Sequence, residues 1–301
     1  MKRAVSISIG SSKRNKAVEV TLLGEKISIE RIGTDGDMEA AALKYKELDG
    51  TVDAFGVGGA DLGALIEGKF YPFHSVQPMV RYVEKTPLVD GGGLKNTLEN
   101  KAPAFLDKKI GDYINQKGRK VFITLGLDRW GLSKSFVEAG YEVVFGDFMF
   151  ALGMPLAIKS LNGLRRLASF MIPIVTRFPF EWWYPTGAKQ DEHKPKWEKW
   201  YGWATVIAGD CLYVKRHMPF NMQGKVVVTN TTTPEDVEFF RKCGVKYLVT
   251  TTPVMDGRSF GTNMMEAAMV AVSSKGRPLT WPELTEMLEQ LGFEPQLQEL
   301  N

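Results

Sequence analysis

The sequence predicts an α/β fold, and three observations support this prediction. Short apolar runs rich in β-branched residues, such as Val121–Leu125 and Lys225–Thr229, alternate with stretches of helical spacing. Several runs end in glycine-rich turns, as at Gly58–Gly63 and Gly126–Gly131. With 301 residues, the chain is long enough for two domains that each bury a core. Alternation of this kind is typical of parallel sheets covered by helices.

The composition is that of a soluble globular protein, with 44% apolar and 24% charged residues. The net charge of +3 is spread along the chain, and basic residues often lie near acids, as in Lys194–Lys199, so we expect a solvated surface and no nucleic-acid partner. Two cysteines without a CxxC pattern exclude a disulfide framework and suit the cytoplasm. The three histidines lack the spacing of a zinc site, so no metal is predicted. No apolar run is long enough to cross a membrane.

The first domain is predicted to be a small α/β unit over residues 1–117. A hairpin is expected from Ala17–Leu23 and Lys26–Ile32, and a helix from Asp37–Leu48. The second domain is predicted over residues 118–278, with an aromatic insertion at 148–219. A C-terminal helix is predicted within 279–301.

A strand–turn–helix–strand unit opens the second domain and ends at Asp147. In parallel sheets, ligands bind beyond the carboxyl ends of the strands, where a helix N-terminus faces an anion. Asp147 follows Gly126 by 21 residues, about where an acid binds a ribose hydroxyl in dinucleotide sites. The unit therefore predicts a Rossmann-like nucleotide-binding domain, and a purely structural unit is the alternative. The candidate cofactor-binding residues of this unit are Gly126, Asp128, Arg129, Gly131 and Asp147.

A repeated Thr-Thr-Thr-Pro sequence follows two neighbouring strands, at 231–234 and 250–253. One βαβ step separates the copies, so both should lie at the same sheet edge as Gly126 and Asp147. Their hydroxyl groups can bind phosphate or ribose, and alternatively they cap helices and strand ends. Thr231, Thr232, Thr233 and Thr251 are therefore further candidates for cofactor binding.

Lys95 is the favoured catalytic residue, because it follows the three glycines of Gly91–Gly93 and a lysine beside a cleft can exchange a proton. Asp90 is its expected partner. Asp61, in the other glycine-rich turn, is a candidate substrate-binding acid. The alternative is a flexible loop with a solvated lysine.

Arg258 and Asn263 flank a glycine at a predicted helix start, a pattern that suits binding of an anionic substrate. A surface loop with a helix cap explains the same residues equally well.

Five of the seven tryptophans fall within 22 residues, from Trp182 to Trp203. Trp197, Trp200 and Trp203 share one face if this stretch is helical. The segment is interpreted as core and homodimer interface. An apolar substrate pocket and contact with a membrane surface are the alternatives.

The order of a small α/β domain, a dinucleotide-type βαβ set and a terminal helix resembles the quinate/shikimate dehydrogenase family. The turn at Gly126–Gly131 and the threonine-ended strand at Val226–Thr233 carry this resemblance. It implies an amino-terminal domain that binds a hydroxy acid, a Rossmann domain that binds NAD or NADP, and a lysine–aspartate pair that handles the proton. The family's usual lysine motif is absent, so Lys95 and Asp90 are predicted from this chain's residues alone.

The sequence thus predicts a cytoplasmic NAD(P)-dependent oxidoreductase that acts on a hydroxyl/carbonyl pair of a small molecule. A transferase that uses S-adenosylmethionine or a nucleotide sugar is the enzymatic alternative. A non-catalytic ligand-binding or assembly protein is the alternative from another class.

Overall fold

The structure, a computed structural model, describes residues 1–178, 193–252 and 261–301, together with the backbone of 254–255 and 258–259. The strands are β1 (Lys2–Ser8), β2 (Lys16–Leu22), β3 (Glu25–Gly33), β4 (Ala54–Gly58), β5 (Gly63–Ile66), β6 (Lys69–Pro72), β7 (Leu88–Val89), β8 (Lys120–Ile123), β9 (Glu142–Phe145), β10 (Val206–Ala208), β11 (Val226–Thr229), β12 (Tyr247–Thr250), β13 (Val254–Met255), β14 (Arg258–Ser259) and β15 (Gln296–Glu299). The helices are α1 (Met38–Leu48), α2 (Gly92–Leu98), α3 (Ala102–Lys117), α4 (Trp130–Glu138), α5 (Asp147–Leu152), α6 (Leu161–Val175), α7 (Glu198–Trp203), α8 (Cys211–Arg216), α9 (Pro234–Lys242), α10 (Thr262–Ser273) and α11 (Trp281–Gln290).

The chain divides into two compact units. The first contains the described residues within Met1–Thr97, Ile172–Gly187 and Phe260–Phe293. The second contains those within Leu98–Met171, Ala188–Ser259 and Glu294–Asn301. This division differs from the expected boundary at residue 118, because α3 belongs to the second unit and α10 and α11 return to the first.

The first unit is built on a five-stranded sheet of order β2-β3-β1-β4-β7. Only β2 is antiparallel, and it forms the expected hairpin with β3. Residues of a strand alternate between the two faces of the sheet. Val5 and Ile7 of β1 therefore pack in one core cluster with Ala41 and Tyr45 of α1. Helix α10 packs against β1, β3 and β4.

The second unit is built on a six-stranded sheet of order β15-β12-β11-β10-β8-β9. The strands from β8 to β12 are parallel, and β15 is antiparallel to β12. From β8, the chain first adds β9 on one side and later β10 on the other side. This reversal between β8 and β10 is the position at which α/β sheets usually bind ligands. The predicted α/β fold class, with a Rossmann-like second unit, is confirmed.

Several helices begin and end as predicted, because their caps are local. Asp37 caps α1 by accepting the Ala40 amide. Thr233 caps α9 in a capping box with Asp236, and Thr280 does the same for α11. Such side chains satisfy amides that the first helical turn leaves free.

The predicted insertion at 148–219 was wrong in one respect, since this segment supplies β10, the strand between β8 and β11. Three residues, Val206–Ala208, are too few for a reliable periodic signal. The C-terminal segment was also incompletely predicted, because α11 is followed by β15.

The tryptophan-rich segment is only partly described, since Trp182 and Trp183 lie outside the described residues. Trp200 and Trp203 both belong to α7, with their rings 6.0 Å apart. The fully buried residue of α7 is Tyr201, whose ring meets that of Phe122 at 5.2 Å. Among the described residues, none of the helices combines the length and apolar character that a membrane crossing requires.

Candidate functional site

The carboxyl edge of the first unit's sheet carries an ion pair between Lys95 and Asp61. The Lys95 Nζ lies 2.8 Å and 2.9 Å from the two carboxylate oxygens of Asp61. Asp61 follows β4, and Lys95 lies in α2, which follows β7. The two side chains are 17% and 18% exposed, so a solute can reach both. The predicted pairing of Lys95 with Asp90 was therefore wrong, and Asp61 is the partner.

Asp90 holds the surrounding backbone instead. Its Oδ2 accepts the Leu62 amide at 2.8 Å, and its Oδ1 accepts the Gly92 amide at 2.8 Å. Asp90 thereby ties the turn after β4 to the start of α2. Both of its oxygens are engaged with backbone, which explains why the lysine pairs elsewhere. These contacts give Asp90 a positioning role, and its catalytic role stays a prediction.

A second acid, Glu266 of α10, lies beneath the start of α2. Its carboxylate accepts the amides of Leu94, at 3.1 Å, and Gly93. A Cβ on Gly93 would lie 2.6 Å from the Glu266 Oε1, so glycine is required there. The pKa of Glu266 is raised to about 7, mainly by burial and in part by nearby Asp90, while the two amide hydrogen bonds and Lys95 oppose the shift. The sequence analysis missed Glu266, although a single acid in the apolar run Met264–Val272 is a usable signal for a buried carboxylate.

Asn263 is half-buried, and its side chain contacts the sheet. Its Nδ2 donates to the Ser6 Oγ of β1 at 2.6 Å, which attaches the first turn of α10 to the sheet. The contact suggests a structural role for a residue that was predicted to bind substrate. The side chain of Arg258 lies outside the described residues.

In the second unit, the turn after β8 is closed by Asp147. The Asp147 Oδ2 accepts the Gly126 amide at 3.0 Å, and its Oδ1 accepts the Leu127 amide at 2.9 Å. Asp147 is 4% exposed, and this burial raises its pKa to about 6. A Cβ on Gly126 would meet Phe145 at 2.7 Å and Leu164 at 2.9 Å, so internal packing explains this glycine.

Arg129, at the start of α4, is enclosed by acids. Its guanidinium forms an ion pair with Glu99 and lies 3.0 Å from the Asp210 Oδ2. The Asp128 carboxylate lies 3.5 Å from its Nε. The side chains of Arg129 and Glu99 are each 3% exposed. This arrangement is an internal ion-pair network. Glu99 and Asp210 lie 30 and 81 residues from Arg129 in sequence, so no local pattern could have paired them with it.

These contacts test whether a dinucleotide fits the predicted turn. A phosphate there needs free turn amides and a nearby cation. Asp147 already accepts the amides, Arg129 is enclosed by acids, and Gly131 is buried in the first turn of α4. The ribose-binding role of Asp147 gains no support from these contacts and stays a prediction. As placed here, Gly126, Asp128, Arg129, Gly131 and Asp147 do not form a cofactor phosphate site.

The two threonine clusters do lie at one sheet edge, as predicted. The Thr231 hydroxyl donates to the Thr252 hydroxyl at 3.0 Å, across the neighbouring strands β11 and β12. Thr251 donates to the Thr229 carbonyl at 3.3 Å, and Thr233 caps α9. These contacts match the capping alternative. Thr232, which is partly exposed, remains a predicted ligand contact.

Among the described side chains, no group of three or more His, Cys, Asp or Glu residues is arranged to hold a metal ion. The candidate site of the first unit consists of Lys95 and Asp61, with Asp90 and Glu266 holding the backbone around them.

Comparison with solved structures gives only distant similarities. An NAD-dependent malic enzyme from Thermotoga maritima is 12% identical, with 94% of this chain and 75% of that chain covered and a TM-score of 0.40. A galactofuranose binding protein is 13% identical, with 98% and 94% covered and a TM-score of 0.38. A periplasmic ribose ABC transporter from Conexibacter woesei is 10% identical, with 99% and 92% covered and a TM-score of 0.37. Likenesses this distant say nothing about the ligand or the reaction of this chain.

Comparison with curated proteins found no match. Two family models do match. Residues 3–90 match the model described as Domain of unknown function (DUF8753), and residues 93–300 match the model described as Domain of unknown function (DUF8754). The two matches meet close to the start of α2, near the boundary between the compact units at residue 97. Because the second match covers more than half of the sequence, the chain belongs to the DUF8754 family.

Proposed function

We propose that this chain is an enzyme of hydroxyl/carbonyl chemistry in which Lys95 exchanges a proton with the substrate oxygen. The observation that carries this proposal is the partly exposed Lys95–Asp61 ion pair at the carboxyl edge of a parallel sheet. Asp61 fixes the Nζ with two contacts, so the ammonium group keeps one orientation. A fixed ammonium group can donate a proton to a carbonyl oxygen as that oxygen gains charge, and the amine can take the proton back in the reverse direction.

The surrounding residues support this role. Asp90 and Glu266 accept backbone amides, so they hold the turn and the start of α2 in place. Glu266 stays partly protonated near neutral pH, because its pKa is raised to about 7 by burial. The net negative charge around Lys95 is therefore smaller than three acids would give. A hydroxylated substrate can approach the Asp61 and Lys95 pair as both acceptor and donor.

The specific form that we propose is an NAD(P)-dependent oxidoreductase of a small hydroxy acid. The sequence resemblance and the lysine–aspartate pair support this form. The turn at Gly126 gives it no support. NAD or NADP would supply the hydride when bound. The assignment of the proton to Lys95 does not depend on where that cofactor binds.

The test measures reduction of NAD⁺ or NADP⁺ with a panel of hydroxy acids that includes quinate and shikimate. We expect turnover by the wild type, a loss of about a hundredfold or more in Lys95→Met, and a smaller loss in Asp61→Asn. Lys44→Met is the matched control, because Lys44 of α1 also forms an ion pair, with Glu47 at 2.7 Å, and is not part of the candidate site. Full activity of Lys95→Met would overturn the role of the lysine.

Titrations of the same protein with candidate ligands separate the alternatives. Binding of S-adenosylmethionine or a nucleotide sugar, without binding of either nicotinamide cofactor, would indicate a transferase. Binding of a hydroxylated solute without turnover by any cofactor would indicate a ligand-binding protein. That second candidate is favoured by the closed turn at Asp147, because the amides of Gly126 and Leu127 are already bound by the carboxylate.

A further inference from the structure

The second unit contains a cavity of about 310 Å³ that none of the site residues above lines. Its wall combines aromatic and apolar side chains, among them Met149, Phe150 and Trp197, with the basic side chains of Lys196 and Arg216 and the imidazole of His217. The volume is at the lower end of the range for ligand pockets. A small ligand therefore suits the cavity better than a dinucleotide does.

Backbone hydrogen bonds hold the basic part of this wall in place. The Lys194 amide donates to the Arg216 carbonyl at 2.8 Å, and the Lys196 amide donates to the His217 carbonyl at 3.0 Å. The His217 Nδ1 lies 2.8 Å from the Lys194 carbonyl, which can only accept, so this nitrogen carries the proton. These contacts join the segment before α7 to the end of α8. The cations are thus brought together by the fold, although the sequence predicted a merely solvated surface there.

The charges around the cavity have one sign. Among the described residues that line it, none is acidic. Burial lowers the pKa of His217, and the positive charges of Arg216 and Lys196 lower it further. The lowered pKa favours the neutral imidazole. An anion would be attracted by the two flanking cations without competition from a carboxylate of the wall.

The aromatic part of the wall suits a planar group. The Phe150 ring lies 5.2 Å from the His217 ring, and the Trp197 ring lies 6.4 Å from it. The Trp197 Nε1 is buried and has no hydrogen-bond partner among the described residues. An unpartnered buried N–H group is costly, and an acceptor atom on a ligand would satisfy it.

We propose that this cavity binds a small anion that carries a planar aromatic ring, with the anionic group at Lys196 and Arg216 and the ring against Trp197 and Phe150. A mononucleotide and an aromatic carboxylate share this chemistry. The proposal does not rest on the enzymatic one, because Lys95 and Asp61 belong to the first unit and the cavity belongs to the second.

Calorimetric titration of the full chain tests the proposal with four probes. Adenosine 5′-monophosphate carries both a ring and an anion, ribose 5-phosphate carries only the anion, adenosine carries only the ring, and benzoate carries a ring with a carboxylate. We expect the monophosphate or benzoate to bind at least about tenfold more tightly than the single-feature probes. Whichever of the two binds more tightly identifies the source of the anion.

Variants then locate the binding. Arg216→Met should weaken it about tenfold or more, and Lys196→Met should weaken it several-fold. Lys196 is exposed, so its variant tests the cavity even if the half-buried Arg216 proves necessary for folding. Lys199→Met is the matched control: its Nζ lies 5.0 Å from the Trp200 ring, outside the cavity, and we expect unchanged affinity.

Two results would overturn the proposal. One is the absence of binding by both the monophosphate and benzoate at millimolar concentration. The other is an affinity that neither Lys196→Met nor Arg216→Met changes, which would place the ligand elsewhere on the chain.

Discussion

In each of the two units, a parallel strand is followed by a glycine-rich turn. In each turn, a buried carboxylate of the chain accepts backbone amides. Glu266 accepts the amides at the start of α2, and Asp147 accepts those after β8. The neighbouring cations differ. Lys95 is 17% exposed and pairs with Asp61, whereas Arg129 is 3% exposed and lies beside Glu99, Asp128 and Asp210. A glycine-rich turn is therefore not by itself a phosphate site, and the exposure of the adjacent cation distinguishes a candidate catalytic group from an internal ion pair.

The largest expected effect comes from Arg129→Met. Removing the guanidinium breaks the buried ion pair with Glu99, and breaking such a pair costs about 3–5 kcal/mol of stability. Urea denaturation measures this loss. The double variant Glu99→Gln/Arg129→Met should regain part of it. An Arg129→Met protein of wild-type stability would mean that the network does not hold the turn.

The second prediction concerns pH. The raised pKa of Glu266 means that the folded state binds more protons than the unfolded state between its ordinary value of 4.5 and about 7. Stability therefore falls as the pH rises through this window, by about 3 kcal/mol from this group. Glu266→Gln cannot titrate, so its stability relative to the wild type should increase over the same range.

Thermal unfolding of both proteins at several pH values from 4 to 8 checks this prediction, because other titrating groups cancel in the difference. The matched variant Asp147→Asn should show the same trend in a lower window, between 3.8 and about 6. A stability difference that does not vary with pH would contradict the raised pKa.

The third prediction separates packing from ligand binding at Gly126. Gly126→Ala should cost about 1–3 kcal/mol, because the new Cβ meets Phe145 and Leu164. Gly111→Ala on α3 is the control, since no atom lies within 4 Å of the new Cβ and we expect no overpacking there. If Gly126→Ala instead kept its stability and lost affinity for a nucleotide, the turn would be a ligand site after all.

The smallest expected effect on stability is that of Lys95→Met. The pair with Asp61 is partly exposed, so its loss should change the free energy of unfolding by only about 1 kcal/mol or less. Urea denaturation of Lys95→Met and Arg129→Met under the same conditions compares their free energies of unfolding directly. A loss as large as that of Arg129→Met would assign Lys95 a structural role and weaken its assignment as the proton-exchanging group.

Local patterns were sufficient for much of the fold. The hairpin of β2 and β3, the βαβ unit from β8 to β9, and the capped helices α9 and α11 all follow from residues close together in sequence. The middle strand β10 could not be predicted in this way, because three apolar residues are too few to show the alternation of a strand. Helix α2 was also unexpected, since three glycines predict a loop and Glu266 supplies the amide acceptor from elsewhere in the chain.

The sequence by itself determined the α/β class, the positions of the glycine-rich turns and the selection of Lys95 and Asp61, because these depend on local spacing and residue type. Only the tertiary structure decided which acid meets the lysine, which carboxylate fills each turn and which cations surround the cavity. Those pairings join residues that are 34 positions apart for Lys95 with Asp61, and 172 for Leu94 with Glu266. The energies of these contacts depend on charged groups that folding brings together and removes from water. A local sequence pattern contains no information about such distant partners.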